Sequence, residues 1–311
     1  MNFAPLILFV YKRPDHLQQT LSHLKINEGA IETILYIFSE GPKSDASSAD
    51  LIAIHNVRKI IHEITGFKEV IIHEAPTNIG CADSMVAGIS KVLTEHESAI
   101  ILEDDIVTHS LFLKFCNTGL QHFKNDDEVM QIGAFMFPAD SKLPETFLSK
   151  KVFCWGWATW RRAWNELNRD TVALAQQIAN RNLENDFDLE GSYPYLKSLE
   201  AQSRGQIDAW DICWYASIFL KGGRSLYPTS ALTQNIGLDG SGTHYIGETG
   251  NKVLPFKANT GILRSIINAE KLDHSQERTI NKAVSNWSNT SIITLVKIKI
   301  NNILKRWHFI L

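Results

Sequence analysis

The feature that most constrains the fold is an alternation, through the first ~120 residues, of short apolar runs with segments of helical period. The runs are Leu6 to Val10, Ile34 to Phe38, Val70 to Ile72 and Ala99 to Leu102. Between them Leu17, Leu21 and Leu24 share one helical face, as do Ile54, Val57, Ile61 and Ile64, and then Met85, Ile89, Val92 and Leu93. Apolar residues three and four apart make a stripe that packs on a sheet, and a short continuous apolar run suits a strand covered on both faces. The pattern predicts an α/β fold of four strand–helix units, with a parallel sheet and crossover helices.

In such open sheets the ligand crevice lies outside the carboxyl ends of the strands. The residues expected there are Tyr11-Lys12-Arg13, Ser39-Glu40-Gly41, the Asn78-Ile79-Gly80 loop and Glu103-Asp104-Asp105. This mixture of basic, acidic and glycine positions suits a nucleotide. No G-x-x-x-x-G-K-[ST] and no G-x-G-x-x-G follows a strand, so a P-loop and a dinucleotide fingerprint are both excluded. A metal ion is then expected to handle the phosphates.

With 311 residues and a 44% hydrophobic fraction the chain can bury a sizeable core, and its formal charge of −3 argues against nucleic acid as the main partner. Cys81, Cys116, Cys154 and Cys213 form no C-x-x-C pair, which indicates neither a zinc site nor a disulfide framework and suggests a cytoplasmic chain. The apolar start from Pro5 to Val10 is too short to span a membrane, and Lys12 and Arg13 follow it where a signal peptide would place them ahead, so no export is expected. The second half is less regular, rich in tryptophan and glycine, and reads as an appended half that shapes an acceptor cleft. No internal repeat or low-complexity linker divides the two.

Four segments could carry chemistry. Glu103-Asp104-Asp105 places three carboxylates at a strand's end, where they repel one another unless a cation is present. Alternation along an extended segment would point Glu103 and Asp105 one way and Asp104 the other. Oxygen ligands suit Mn²⁺ or Mg²⁺, whereas the competing reading is a solvated acidic turn. The segment from Trp155 to Trp164 holds four tryptophans, of which Trp157, Trp160 and Trp164 follow helical spacing and read mainly as core. Trp155, ahead of Gly156, is the better candidate for a sugar-facing ring. A helix opening at Ile207-Asp208-Ala209-Trp210-Asp211 would use Asp208 as its N-cap and carry Asp211 in its first turn, where the helix dipole favours a carboxylate. Asp211 could equally act as a general base, since a sugar hydroxyl attacks well only as its proton is removed. The stretch from Asn235 to His244 is either a surface loop or a lid over a donor, with His244 on phosphate.

Taken together, Leu102-Glu103-Asp104-Asp105 with Ser110-Leu111-Phe112, the Cys154-to-Trp160 block, Trp210-Asp211 and Gly240-Ser241-Gly242-Thr243-His244 resemble a GT-A glycosyltransferase. More narrowly, they resemble a bacterial family 2 enzyme with features of the N-acetylglucosaminyltransferase I group. The likeness covers roughly residues 5 to 245 and implies a Rossmann-like mixed sheet flanked by helices, with a C-terminal helical tail. It implies a metal-dependent, inverting transfer from a nucleotide-sugar, expected to be a UDP-sugar, to a glycan or lipid-linked acceptor in surface polysaccharide synthesis. By the same resemblance Asp105 binds the metal, with Glu103 and Asp104 toward the ribose and sugar, and Asp211 is the base. Val10, Tyr11, Arg13 and Glu40 hold the nucleotide, while Asn78, Gly80, Asp83 and His244 border it. Trp155, Gly156, Trp157 and Trp210 face the acceptor. The loop Asn78-Ile79-Gly80-Cys81-Ala82 lacks the histidine of the animal enzymes and is closer to bacterial polysaccharide and lipooligosaccharide transferases.

The expected division is a transferase domain over 1–265, with a donor half at 1–125 and an acceptor half at 126–265, then a basic amphipathic tail at 266–311. Beyond Glu277 the chain carries Arg278, Lys282, Lys297, Lys299, Lys305 and Arg306 and no acid. Within 292–311 the residues Ile292, Val296, Ile300, Ile303, Leu304, Trp307 and Leu311 recur at helical spacing with lysines between them. Such a helix could lie peripherally on the inner face of an anionic membrane or pack on protein, and the lysines exclude a span. Rival functions are a sugar nucleotidyltransferase, which would show a glycine-rich signature after the first strand, and a non-catalytic carbohydrate-binding protein, which would need no nucleotide. A receiver-type signalling module is excluded by the chain's length and by the late position of the acids.

Overall fold

Residues 3–139, 143–239, 256–258 and 260–288 are described in a computed structural model. Each apolar run of the first half forms a strand: β1 (Leu6–Val10), β2 (Ile34–Ser39), β3 (Glu69–Glu74) and β4 (Ser98–Glu103). The helical-period segments between them form α1 (Pro14–Lys25), α2 (Ser48–His62) and α3 (Cys81–Glu95). Pro14 pre-sets the first turn of α1, and a Ser47–Asp50 capping box starts α2. These four strands are mutually parallel, in the order β3-β2-β1-β4.

Beyond β4 the sheet becomes mixed. A short β5 (Ile106–Thr108) and α4 (Phe112–His122) lead into β6 (Val129–Gly133), β7 (Thr146–Ser149) and β8 (Trp157–Trp160). The helices α5 (Arg161–Trp164), α6 (Thr171–Asn180), α7 (Glu184–Phe187), α8 (Tyr195–Ser203) and α9 (Asp211–Leu220) follow. The chain returns through β9 (Arg224–Pro228) and β10 (Thr233–Asn235), then α10 (Ile262–Ser265), β11 (Glu270–Lys271) and a helix α11 over residues 274–288. One nine-stranded sheet results, ordered β11-β7-β9-β6-β8-β4-β1-β2-β3, with β8 antiparallel to both neighbours, while β5 pairs with β10.

The sheet separates two apolar layers. Ile7, Phe9 and Ile101 face α3 and α9, and Leu6, Leu8 and Leu102 face α1 and α4. This parity decides the tryptophan block. Helical spacing predicts Trp157, Trp160 and Trp164 on one helix, but Trp157 and Trp160 lie on β8, three residues apart, and so point into opposite layers. Only Trp164 is helical, at the end of α5.

The boundary expected at 265 is also displaced. β11 extends the sheet beside β7, and Ile280, Ala283 and Val284 of α11 are buried in the core. Residues 266–288 are therefore part of the body, and the amphipathic stretch 292–311 lies outside the described residues. Among the described residues no helix is long and apolar enough to cross a membrane, and all four cysteines are free thiols.

Candidate active site

The chain leaves β1 toward β2 and β3 on one side and returns to β4 on the other, so the topological switch point lies between the carboxyl ends of β1 and β4. There the Tyr11 N–H donates to Asp104 Oδ2 at 3.2 Å. Arg13, just ahead of α1, turns its guanidinium onto the acidic turn: Nη1 donates to Asp105 Oδ2 at 2.8 Å, and Nη2 lies 3.2 Å from Asp104 Oδ1. The Thr20 hydroxyl donates to the Asp104 carbonyl at 2.8 Å, and the Ile236 N–H to that of Asp105 at 2.9 Å. Strict alternation of Glu103, Asp104 and Asp105 is not observed. The strand ends at Glu103, and the next two carboxylates both meet one arginine.

Even with Glu103 protonated, one guanidinium between the Asp104 and Asp105 carboxylates leaves the turn net negative. Burial and the neighbouring acids Asp105, Asp104 and Asp211 raise the Glu103 carboxyl above its ordinary range, with Arg13 opposing. Burial also raises Asp104, against Arg13. The Arg13 charge is itself disfavoured by burial, but Asp104, Asp105 and Glu103 outweigh this and hold it protonated.

Asp211 begins α9 with its side chain exposed, Oδ1 accepting from the Ile212 N–H at 3.0 Å. Its charge acts on Glu103, Cys81 and Cys154, which places it near the acidic turn. Asp208 is not the cap of this helix. Trp210 occupies that position without a side-chain bond, and Asp208 Oδ2 instead accepts from the Ala82 N–H at 3.4 Å, in the first turn of α3. Cys81, beside it, is exposed at the helix start, yet desolvation and the carboxylates Glu103, Asp208, Asp211 and Asp104 push its thiol up.

The remaining expected residues divide. Glu40 is buried at the end of β2, its Oε1 accepting from the Gly41 and Ile79 N–H groups, and its buried Oε2 has no hydrogen-bond partner. Val10 contributes a backbone carbonyl to the Glu40 N–H, its side chain being in the core. Asn78 turns inward to its own loop: Nδ2 donates to the Gly41 carbonyl at 3.2 Å and Oδ1 accepts from the Gly80 N–H at 3.1 Å. Gly80 adopts φ +93°, and an added Cβ would lie 2.9 Å from Asp208 Oδ2. Asp83 is exposed and pairs with Arg169 at 2.6 Å.

Trp155 is half-buried against Phe135 and Trp287, with ring centroids at 4.6 and 5.6 Å. Trp157 is fully buried and stacked on Trp210 at 5.4 Å, so neither ring of that pair is offered to an acceptor; they belong to the core. Gly156 has φ +81°, and a Cβ there would come within 2.6 Å of Thr233, so its part is to turn the chain into β8. His244 and the stretch 240–244 lie outside the described residues. Trp287 beside Trp155 escapes the sequence reading, which places Asp208 only as a helix cap and Gly237 only as part of the Asn235-to-His244 stretch. An added Cβ at Gly237 would fall 2.1 Å from Asp105 Oδ2 and 2.7 Å from Arg13 Nη1.

Among the described residues no three histidine, cysteine, aspartate or glutamate side chains are arranged to hold an ion alone. The donor set is nevertheless all oxygen, negatively charged and partly desolvated. It fits an ion such as Mn²⁺ or Mg²⁺ taken by one or two carboxylates and completed by ligand phosphates.

No protein-family model matches the sequence, and no curated protein does. Solved structures align at low similarity. One is the mannosyltransferase PcManGT from Pyrobaculum calidifontis in complex with GDP-Man and Mn²⁺, 10% identical over 70% of this chain and 74% of that one, with a TM-score of 0.38. Another is S. aureus TarS 1-349, 12% identical over 90% and 70%, with a TM-score of 0.42. The same protein with UDP-GlcNAc is 11% identical over 88% and 69%, also at 0.42.

Proposed function

We propose that this chain is a GT-A-type glycosyltransferase that moves a sugar, with inversion, from a nucleotide-diphosphate sugar to a hydroxyl of a glycan or lipid-linked acceptor. The observation that carries this reading is the net-negative Glu103-Asp104-Asp105 turn at the switch point, with the exposed Asp211 carboxylate near enough to act on Glu103. A nucleotidyltransferase has no use for a separate base on the acceptor side, and a glycan-binding protein has no use for the buried acids.

In this mechanism Glu40, with Oε2 buried and Oε1 accepting from the Gly41 and Ile79 N–H groups, fixes the loop that borders the nucleobase of a UDP-sugar or a GDP-sugar. Tyr11 and Arg13 set the acidic turn against the diphosphate. Asp105, with Asp104 beside it, would hold a divalent ion, which when bound supplies positive charge to the departing diphosphate. Asp211 accepts the proton of the acceptor hydroxyl as its oxygen attacks the anomeric carbon from the face opposite the diphosphate, and that geometry inverts the centre. Trp155, Phe135 and Trp287 offer an aromatic wall for the acceptor sugar.

Calorimetric titration of UDP and of GDP, with and without Mn²⁺, tests the reading on the native protein and on Asp105→Ala. Metal-dependent binding of one nucleotide, lost in the variant, is expected. Absence of nucleotide binding with metal present would remove the donor site and leave glycan binding as the reading to pursue.

A further inference from the structure

We infer that Arg13 is a built-in counter-cation of the acidic turn, which a divalent ion must displace, so that ion and nucleotide diphosphate enter the site together. The inference rests on the transferase reading and deepens it by coupling the binding of the two ligands.

The Arg13 guanidinium forks across the turn, Nη1 on Asp105 Oδ2 at 2.8 Å and Nη2 at 3.2 Å from Asp104 Oδ1. These are the carboxylates expected to take the ion. Their side chains are only 10% and 4% exposed, and that of Arg13 23%, so the pairing is poorly screened by water. An ion and a guanidinium cannot share these oxygens without close repulsion between like charges. Nor is there slack above the pair. The backbone at Gly237 lies so close that even a methyl group would overlap Asp105 Oδ2 and Arg13 Nη1, and the Ile236 N–H is bonded to the Asp105 carbonyl. Entry of an ion at Asp104 Oδ1 and Asp105 Oδ2 therefore requires Arg13 to move off them.

The guanidinium has a destination. Arg13 follows β1 directly at the switch point, where a diphosphate would lie, and a planar guanidinium binds phosphate oxygens in the same forked manner as carboxylates. A bound diphosphate would draw Arg13 off Asp104 and Asp105 and open them to the ion. Without nucleotide the arginine holds the carboxylates in place and keeps stray divalent ions out. Arg13 is thus a positioning residue that couples the two ligands.

The test is a Mn²⁺ titration, followed by the electron paramagnetic resonance of free Mn²⁺, on the native protein, Arg13→Gln and Arg13→Lys, each without nucleotide and with saturating UDP or GDP. Losing a charged hydrogen bond that competes with the ion should tighten binding of Mn²⁺ alone by about tenfold in Arg13→Gln. The gain in Mn²⁺ affinity on adding nucleotide should shrink correspondingly. Arg13→Lys, whose single ammonium cannot fork, is expected to lie between the two and keeps the test decisive should Arg13→Gln not fold. Native-like Mn²⁺ affinity in the folded variants, with nucleotide-dependent metal binding intact in the native protein, would overturn the inference alone. Absence of nucleotide binding in the native protein would overturn the transferase reading and this inference with it.

Discussion

Asp211 combines two properties that a general base needs: an exposed carboxylate, and a place in the first turn of a helix whose dipole favours the charged form. Replacing it by Asn preserves shape and removes the proton acceptor. Turnover should fall by roughly 10²–10⁴ while nucleotide binding stays within about threefold of native, as steady-state kinetics beside calorimetry would show. Glu103 has the opposite situation, a carboxyl whose burial and acidic neighbours hold its proton. Between its ordinary value of 4.5 and the raised one, the folded protein binds more protons than the unfolded chain, so metal-free stability should fall as pH rises through that window. The loss is on the order of 1 kcal/mol for each pH unit crossed inside it, and Glu103→Gln should flatten a plot of unfolding free energy against pH. The acids and Glu40 are legible in the sequence because each directly follows an apolar run. Asp208 is not, since its partner Ala82 lies 126 positions away and no local pattern joins them.

At the scale of elements, periodicity serves well where a segment has one covered face and fails where it has two. The stripes of α1, α2 and α3 are readable because each helix packs one side on the sheet. β8, read Trp157-Ala158-Thr159-Trp160, is central and buried on both faces, so it carries no apolar–polar alternation, and the spacing of Trp157 and Trp160 passes for helical. Glycine is ambiguous for a related reason: Gly237 reads as loop composition, and only the fold reveals that it lets β10 and the residues after it close on the Arg13–Asp105 pair. Gly237→Ala forces a methyl group onto that pair. We expect a loss of about 1–3 kcal/mol in urea unfolding, of the size seen for overpacking, together with loss of metal-dependent nucleotide binding. Unchanged binding would mean that the segment moves freely from the site.

At the scale of the whole molecule the question is what joins the C-terminal helix to the sheet. Composition suggests a basic amphipathic tail from 266, because lysines and arginines crowd the end of the sequence beyond Glu277, the last acid. In the fold Glu277 is buried against the end of β7: it accepts from the Ser149 hydroxyl at 2.8 Å and the Lys150 N–H at 2.9 Å, and lies 3.3 Å from Lys151 Nζ. Trp287, farther along the helix, reaches Phe137 and Trp155, so this anchor also fixes the ring that packs against Trp155. Breaking one side of a buried pair leaves an uncompensated charge, and Glu277→Leu should cost about 3–5 kcal/mol. Burial already lowers the Lys151 pKa, with Glu277 opposing, and without the glutamate it should fall further. In the window between that lowered value and the ordinary 10.5, the unfolded chain binds more protons than the folded protein, so the stability of Glu277→Leu should rise with pH. Adding Lys151→Met removes the stranded charge. The double variant should therefore recover most of the loss and lack the alkaline gain, as denaturant unfolding at two pH values would show. A double variant as unstable as the single would instead assign the anchor to the Ser149 and Lys150 hydrogen bonds, with the ion pair contributing little.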